Sequence, residues 1–411
     1  MLHTEFFWKK NSTREFINNL RHNIFNFEKN PILGFLLQKK QARERGEKTL
    51  KSLISSAVHT EQKSDNSKIQ EFDTPKIMVI GCGGAGCNAV NRLAKMHIQG
   101  AQLAAINTDK QHLAMIDEEI TKVLIGKSVT RGLGAGGYPE IGAKAAEVSK
   151  TELTQLLDGV DMLFVSAGMG GGTGTGSAPI VAGIAKDMGA IVVSIVTYPF
   201  SLERSRLISA EAGIQKLSDH SDTVVVIDNN RLVQLVPNLP IQDAFKVADE
   251  VIARTVRGIT ETITQPSLIN LDFADIRSVM AGSGLSLIAV GESKSVDRVH
   301  EAVEDTLSNT LLDVDIAGAS GVLIHITGGP DLTLGEANEI GELLTARIDA
   351  KAVVIWGARV DNTFENKIEI IAIFTGVNSP YITGANKKLG SREQAYATAR
   401  GHDRDFGLKT L

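Results

Sequence analysis

Residues 168–179 read GMGGGTGTGSAP and follow directly on the apolar run DMLFVS. Glycine weakens any helix or strand that contains it and loses more backbone freedom on folding than other residues, so a cluster this dense needs a compensating interaction. A phosphate supplies one. Without Cβ atoms, backbone N–H groups can close on phosphate oxygens, and the N-terminus of a following helix adds a favourable dipole. Thr173 and Thr175 bring hydroxyl donors to the same loop. Proline suits a first helical position, so the stretch predicts a helix starting at Ser177 or Pro179. These features tie the chain to folds that hold an anion at the carboxyl end of a parallel strand.

The rest of the sequence agrees. KIMVI, AQLAAIN, KVLIG, DMLFVS, AIVVSIVT and DTVVVID alternate with helical patterns and read as strands buried on both faces, which predicts a parallel sheet flanked by helices. A long helical pattern covers roughly Ile241 to Ile263, and beyond Gly284 the runs LSLIAV, GVLIHIT, AVVIWGARV and KIEIIAIFTGV read as a smaller α+β domain. With 411 residues, 43% of them hydrophobic, the chain is long enough for two cores. A formal charge of -5 and an aromatic content of 5% argue against a nucleic-acid binder. No apolar run approaches the ~18 residues that span a bilayer, so a soluble chain is expected, and its two cysteines, confined to one loop, suggest a reducing cytoplasm. Cys82 and Cys87 share one glycine-rich loop with no histidine close by, which gives neither a disulfide framework nor a metal site.

Residues 1–50 carry ten Lys/Arg against five Asp/Glu, with Phe16, Leu20, Ile24 and Phe27 at nearly helical spacing. That predicts a basic amphipathic helix suited to weak membrane-surface contact. Residues 55–74 are polar and read as a linker, and the chain turns polar again after Ser379.

A second glycine loop, VIGCGGAGCNAV, places Gly81, Gly83 and Gly86 in a GxGxxG pattern. Taken alone it also suits a dinucleotide-dependent oxidoreductase, in which Asp109 of INTDKQ would hold a ribose. The denser loop at 168–176 has no role in that fingerprint, and no Cys/His or Tyr/Lys pair presents itself for redox chemistry. GKS at Gly126 to Ser128 resembles the end of a P-loop, but Thr121 stands where its leading glycine is required.

In order along the chain, GCGGAGCNAV, AAINTDKQ, GGGTGTGSAP, AFKVADEV and NLDFADIRSVM closely resemble the FtsZ family, the tubulin-like GTPases of prokaryotic cell division, in an archaeal form. The resemblance runs from about Lys76 to Val377. It implies a tubulin/FtsZ-like α/β fold with a parallel sheet, a long central helix and a second, smaller α+β domain. The corresponding division is an N-terminal extension and linker (1–74), a GTP-binding domain (75–240), a connecting helix (241–265), a catalytic loop and helix start (266–280), a C-terminal domain (281–378) and a tail (379–411).

By the same resemblance, GTP or GDP phosphates are embraced by Gly83, Gly84, Ala85, Gly86, Cys87 and Asn88, and by Gly170, Gly171, Gly172, Thr173, Gly174, Thr175 and Gly176. Glu203 matches the ribose-contacting acid. Asn229 and Asp249 match the positions that read guanine, with Phe245 stacking nearby. Guanine offers N1–H and an exocyclic amine to a carboxylate, a donor pair that adenine lacks. The family usually has glycine after the ribose acid and a basic residue four positions on; here Arg204 and Leu207 stand there, which leaves Arg206 or Arg204 to make that contact.

Asp272 and Asp275 lie three apart at an expected helix start, so their carboxylates can share one side. Asp272 alone would serve as a helix cap. Acids beside a triphosphate of the same chain are unfavourable unless a cation or water geometry compensates. The resemblance implies that this loop instead meets the nucleotide of the neighbouring subunit. Asp272 and Asp275 then orient or deprotonate the attacking water, Asn270 helps to position it, and Mg²⁺ neutralises the phosphates. Such contacts propagate head to tail into a homopolymer. The expectation is a self-assembling GTPase at the division site, with a non-hydrolysing scaffold as the alternative. Membrane adaptors or other division proteins are implied partners, although the tail SREQAYATARGHDRDFGLKTL carries no clear version of the adaptor-binding peptide common in the family.

Overall fold

A computed structural model of the chain describes residues 75–235, 238–264, 269, 272–280, 284–308 and 316–377. The predicted N-terminal amphipathic helix, the linker, Asn270 and the tail lie outside these residues.

The apolar runs become strands and the patterns between them helices. The first half runs β1 (Ile77–Cys82), α1 (Gly83–Lys95), β2 (Ala101–Asn107), α2 (Lys110–Ala114), β3 (Thr121–Leu124), α3 (Lys127–Thr130), α4 (Pro139–Val148) and α5 (Lys150–Leu156). It continues with β4 (Met162–Gly168), α6 (Thr173–Asp187), β5 (Ile191–Tyr198), α7 (Arg204–His220), β6 (Thr223–Asp228) and α8 (Asn229–Leu235). The long helix α9 (Ile241–Thr264) and the short α10 (Phe273–Met280) lead to β7 (Gly284–Ser293), α11 (Arg298–Ser308), β8 (Gly321–Gly328), α12 (Leu334–Thr345), β9 (Val353–Val360) and β10 (Ile368–Thr375).

Ten strands join in one sheet of order β3-β2-β1-β4-β5-β6-β7-β10-β8-β9. Pairing is parallel from β3 through β7 and between β8 and β9, whereas β10 runs antiparallel to both its neighbours. Side chains alternate across β1: Met78 and Ile80 enter one core, Ile77 and Val79 the other. Burial on both faces explains why these strands read as unbroken apolar runs. On α9, Ala248, Ile252, Ala253, Val256 and Ile259 form one buried face. At Gly258 an added Cβ would lie 2.6 Å from Ile371 Cδ1, so glycine lets α9 approach the C-terminal strands closely.

One local expectation is corrected. Helix α6 starts at Thr173 rather than at Ser177 or Pro179, and Pro179 lies inside it. Gly172 already has right-handed helical dihedrals, and the N–H of Gly176 donates to its carbonyl at 3.1 Å, so the glycines themselves form the first turn.

Candidate functional site

A cavity of about 910 Å³ opens at the carboxyl ends of the parallel strands. Cys82, Asn107 and Gly168 end β1, β2 and β4, Pro199 follows β5, Asn229 follows β6, and all five line it. This is where an open parallel sheet presents a ligand crevice.

Its floor comes from the two glycine loops. Helices α1 and α6 both begin there, and neither has a side-chain N-cap. A helix start leaves up to four N–H groups without intrahelical acceptors, so two uncapped starts turn free donors toward one cavity, an arrangement suited to an anion. The neighbouring α2 shows the contrast: Asp109 caps it, accepting from the N–H groups of Gln111 at 2.8 Å and His112 at 3.2 Å. The loops interlock. Gly83 has φ +71°, and a Cβ on it would sit 2.7 Å from the Gly174 nitrogen. Gly170 N–H donates to Thr175 Oγ1 at 2.9 Å, and the hydroxyls of Thr108 and Thr173 pair at 2.7 Å.

Sequence-predicted residues divide by this geometry. Gly84, Ala85, Asn88, Gly171, Gly172, Thr173 and Gly174 line the cavity. Gly83, Gly86, Cys87, Gly170, Thr175 and Gly176 are buried behind it and shape the loops. A Cβ on Gly86 would meet the Ser166 carbonyl oxygen at 2.2 Å, and one on Gly176 the Pro139 oxygen at 2.1 Å. Burial pushes the Cys87 thiol up to about 12 and the Cys82 thiol higher still, so neither is a thiolate at neutral pH.

At the opposite wall, Glu203 and Arg206 both line the cavity and pair at 2.5 Å, while Glu203 also accepts from Phe200 N–H at 3.3 Å. Of the two candidate arginines, Arg206 is the one on the cavity wall. Phe245 and Phe200 pack edge to face, with ring centroids 5.6 Å apart. One turn beyond Phe245 on α9 stands Asp249, whose carboxyl is pushed up to about 6 by burial against the opposing pull of Arg92. Asn229 is buried, and its Oδ1 has no hydrogen-bond partner among the described residues. Leaving such an atom unpaired costs about 1–3 kcal/mol unless a donor meets it.

Sequence reading missed a third loop. Gly134, Ala135, Gly136 and Gly137 also line the cavity, and these three glycines have φ of +87°, +61° and +82°. Its signal was present in GLGAGGYP, a glycine run before a proline that starts α4. Asp109, weighed only as a ribose ligand, lines the cavity as the α2 cap.

Asp272 and Asp275 lie elsewhere. Both are exposed, neither lines the cavity, and Asp272 Oδ1 accepts the Asp275 N–H at 2.7 Å as the cap of α10. Arg277, in the same helix, donates to the carbonyl of Gly189 at 3.1 Å. Gly189 follows the C-terminal end of α6, whose N-terminus is in the cavity, so the 15 residues of α6 separate the two regions by roughly 22 Å. The acids therefore sit toward the amino ends of the strands.

Among the described residues no group of three His, Cys, Asp or Glu side chains could enclose a metal ion, and no helix is long and apolar enough to cross a membrane. Three carboxylates line the cavity: Glu203 is paired with Arg206, Asp249 belongs to the α9 wall, and Asp109 stands beside the glycine loops.

Comparison with known proteins is specific. The sequence model for the Tubulin/FtsZ family, GTPase domain, matches residues 76–237, and that for the FtsZ family, C-terminal domain, matches residues 284–378. The chain is 61% identical over 321 residues to Cell division protein FtsZ 2 of Methanocaldococcus jannaschii, covering 77% of this chain and 84% of the relative. It is 51% identical over 317 residues to Cell division protein FtsZ 1 of Pyrococcus furiosus, covering 77% and 85%. A solved FtsZ dimer from M. jannaschii superposes with a TM-score of 0.71 at 49% identity, covering 75% of this chain and 89% of that one.

Proposed function

Because the chain belongs to the FtsZ family, we propose that it is a GTP-dependent, self-assembling cell-division protein in which each protomer carries the two halves of a hydrolytic centre at opposite ends. One observation carries this reading: the phosphate cradle opens at the carboxyl ends of the strands, and the acid pair is held some 22 Å away at the far end of α6. A protomer cannot bring its own acids to its own nucleotide. A second protomer stacked head to tail can.

In this arrangement the first-turn N–H groups of α1 and α6, with Thr173, bind the phosphates. Glu203 and Arg206 hold the sugar end. Phe245 covers the base, and Asp249 accepts from guanine N1–H and the exocyclic amine, with Asn229 completing base recognition. Asp272 and Asp275 of the next protomer orient the attacking water and take its proton, and Asn270 assists. A Mg²⁺ ion fits a site this poor in protein ligands, because it binds mainly through substrate phosphates and water, and Asp109 is the cavity carboxylate placed to support it. Bound there, the ion would neutralise charge on the phosphates. Hydrolysis removes that charge pattern from the junction and loosens it, so filaments turn over at the division site in the cytoplasm. Membrane adaptors or other division proteins then tether them.

The defining measurement is phosphate release against protein concentration. A junctional site gives specific activity that rises with concentration, because only assembled protomers turn over. Constant specific activity down to the monomeric range overturns the reading.

Base recognition is tested through Asp249. Its folded-state pKa of about 6 lies above the ordinary carboxyl value, so the ionised form needed for guanine prevails at pH 7 and above and is lost as pH falls through about 6. GDP affinity is accordingly expected to fall on acidification, more steeply than for Asp249→Asn, whose affinity is pH-independent there. That variant should also bind GDP about 10²-fold more weakly at pH 7.5, the scale of losing charge-assisted hydrogen bonds of about 1.5–3 kcal/mol each. Parallel pH profiles for the two proteins would remove Asp249 from the base site.

A further inference from the structure

His112 belongs to none of the recognition elements above, and its surroundings are unusual. It lies on α2, where Asp109 accepts its backbone N–H at 3.2 Å, and it lines the cavity. Its mount is tied to the phosphate cradle, because the Thr108 hydroxyl, just ahead of α2, pairs with that of Thr173 at 2.7 Å. The ring stands over the other cradle loop: a Cβ built on Gly84 would lie 3.9 Å from His112 Nε2. Its second nitrogen, Nδ1, is buried with no hydrogen-bond partner among the described residues.

That last fact selects the tautomer. A buried N–H without an acceptor is rarer in folded proteins than an under-satisfied acceptor, so the ring proton belongs on Nε2 and Nδ1 keeps its lone pair. His112 therefore presents its Nε2–H donor over Gly84, beside N–H groups that already face the cavity.

We propose that His112 is a nucleotide-binding residue whose Nε2–H donates to a phosphate oxygen of the bound guanine nucleotide. The inference rests on the GTPase reading of the cavity and adds a ring donor to a cradle built from backbone N–H groups and the Thr173 hydroxyl. It also gives a role to a half-buried histidine whose ring lies against the bare face of Gly84.

The test uses the full chain with GDP, which avoids turnover during titration. His112→Ala is expected to bind GDP about 3–10-fold more weakly than wild type, the worth of one neutral hydrogen bond. His112→Gln, which restores a donor, should recover part of that loss, and neither variant should change the melting temperature of the nucleotide-free protein. Long-range proton–nitrogen spectra supply the structural readout: GDP should move the His112 Nε2 resonance and leave Nδ1 typical of an unprotonated ring nitrogen. Equal GDP affinity for wild type and His112→Ala, or a ring protonated on Nδ1, overturns the proposal while leaving the cavity reading intact. A wild-type chain that ignores GDP overturns both.

Discussion

Replacing Asp275 with alanine is expected to lower GTP turnover by about 10²-fold or more, the usual scale for losing a general acid or base, while nucleotide binding and filament formation persist. The separation of functions follows from position. Asp275 is exposed on α10, does not line the cavity of its own protomer, and lies beyond the far end of α6. Its removal leaves the glycine cradle, the Glu203–Arg206 pair and Asp249 untouched. A junction lacking one carboxylate near the phosphates should, if anything, be less repulsive. A mixing experiment sharpens the test. Asp275→Ala keeps an intact cavity, and Asp249→Ala keeps an intact acid pair. Junctions that join the cavity of the first to the acids of the second contain every catalytic group. A mixture is therefore expected to turn over GTP faster than either variant alone. Undiminished turnover by Asp275→Ala would refute its role, and a mixture no faster than its components would show that cavity and acids work within one chain.

Much of this architecture was legible in the residues because its causes are local. A strand buried on both faces is an unbroken apolar run, and a loop that lines the cavity at the strand ends is a glycine cluster between such a run and a helix. Those two patterns located β1, β4 and the loops that follow them. The start of α6 was misplaced because Pro179 carries a strong first-turn signal, whereas the glycines before it gave no hint that they would themselves turn helical. The loop at 134–137 was overlooked because what sets it apart, the positive φ of its glycines and their place on the cavity wall, is a property of the folded chain. Long-range matters were out of reach. Arg92 meets Glu250 across 158 positions and Arg254 meets Glu369 across 115, and no spacing rule pairs such residues. The raised carboxyl of Asp249 likewise depends on what buries it. The acids of α10 looked suited to a catalytic loop through family resemblance alone; the distance that keeps them from their own cavity is a property of the folded chain.

Arg254 carries the second large expectation, one of stability. It stands on α9 and reaches three carboxylates: Glu250 at 3.1 Å, Glu292 at 2.9 Å and Glu369 at 3.2 Å. Two of these have other cations, since Arg92 holds Glu250 at 2.6 Å and Lys367 holds Glu292 at 2.7 Å. Glu369 on β10 is different. Its side chain is only 8% exposed, and burial pushes its carboxyl above the ordinary range despite the pull of Arg254, Lys367 and Arg257. Arg254→Ala strips the direct partner from a buried charge, a change that costs about 3–5 kcal/mol when both groups are buried. Arg254 is itself 34% exposed, so solvent screening places the expected loss nearer 2–3 kcal/mol. The pH dependence fixes the cause. A carboxyl whose folded pKa lies above its unfolded value makes the native state less stable as pH rises through that folded pKa. Removing Arg254 moves the folded value further up, so the stability gap between wild type and variant should be widest near pH 8 and shrink as Glu369 takes a proton in both. Glu369→Gln, added to Arg254→Ala, should restore most of the loss by removing the charge that was stranded. Urea melts of the GDP-bound chain at pH 8 and pH 5.5 measure all of this. A gap independent of pH, or a double variant no more stable than Arg254→Ala, would show that the arginine acts through packing of its stem and not through the buried carboxylate.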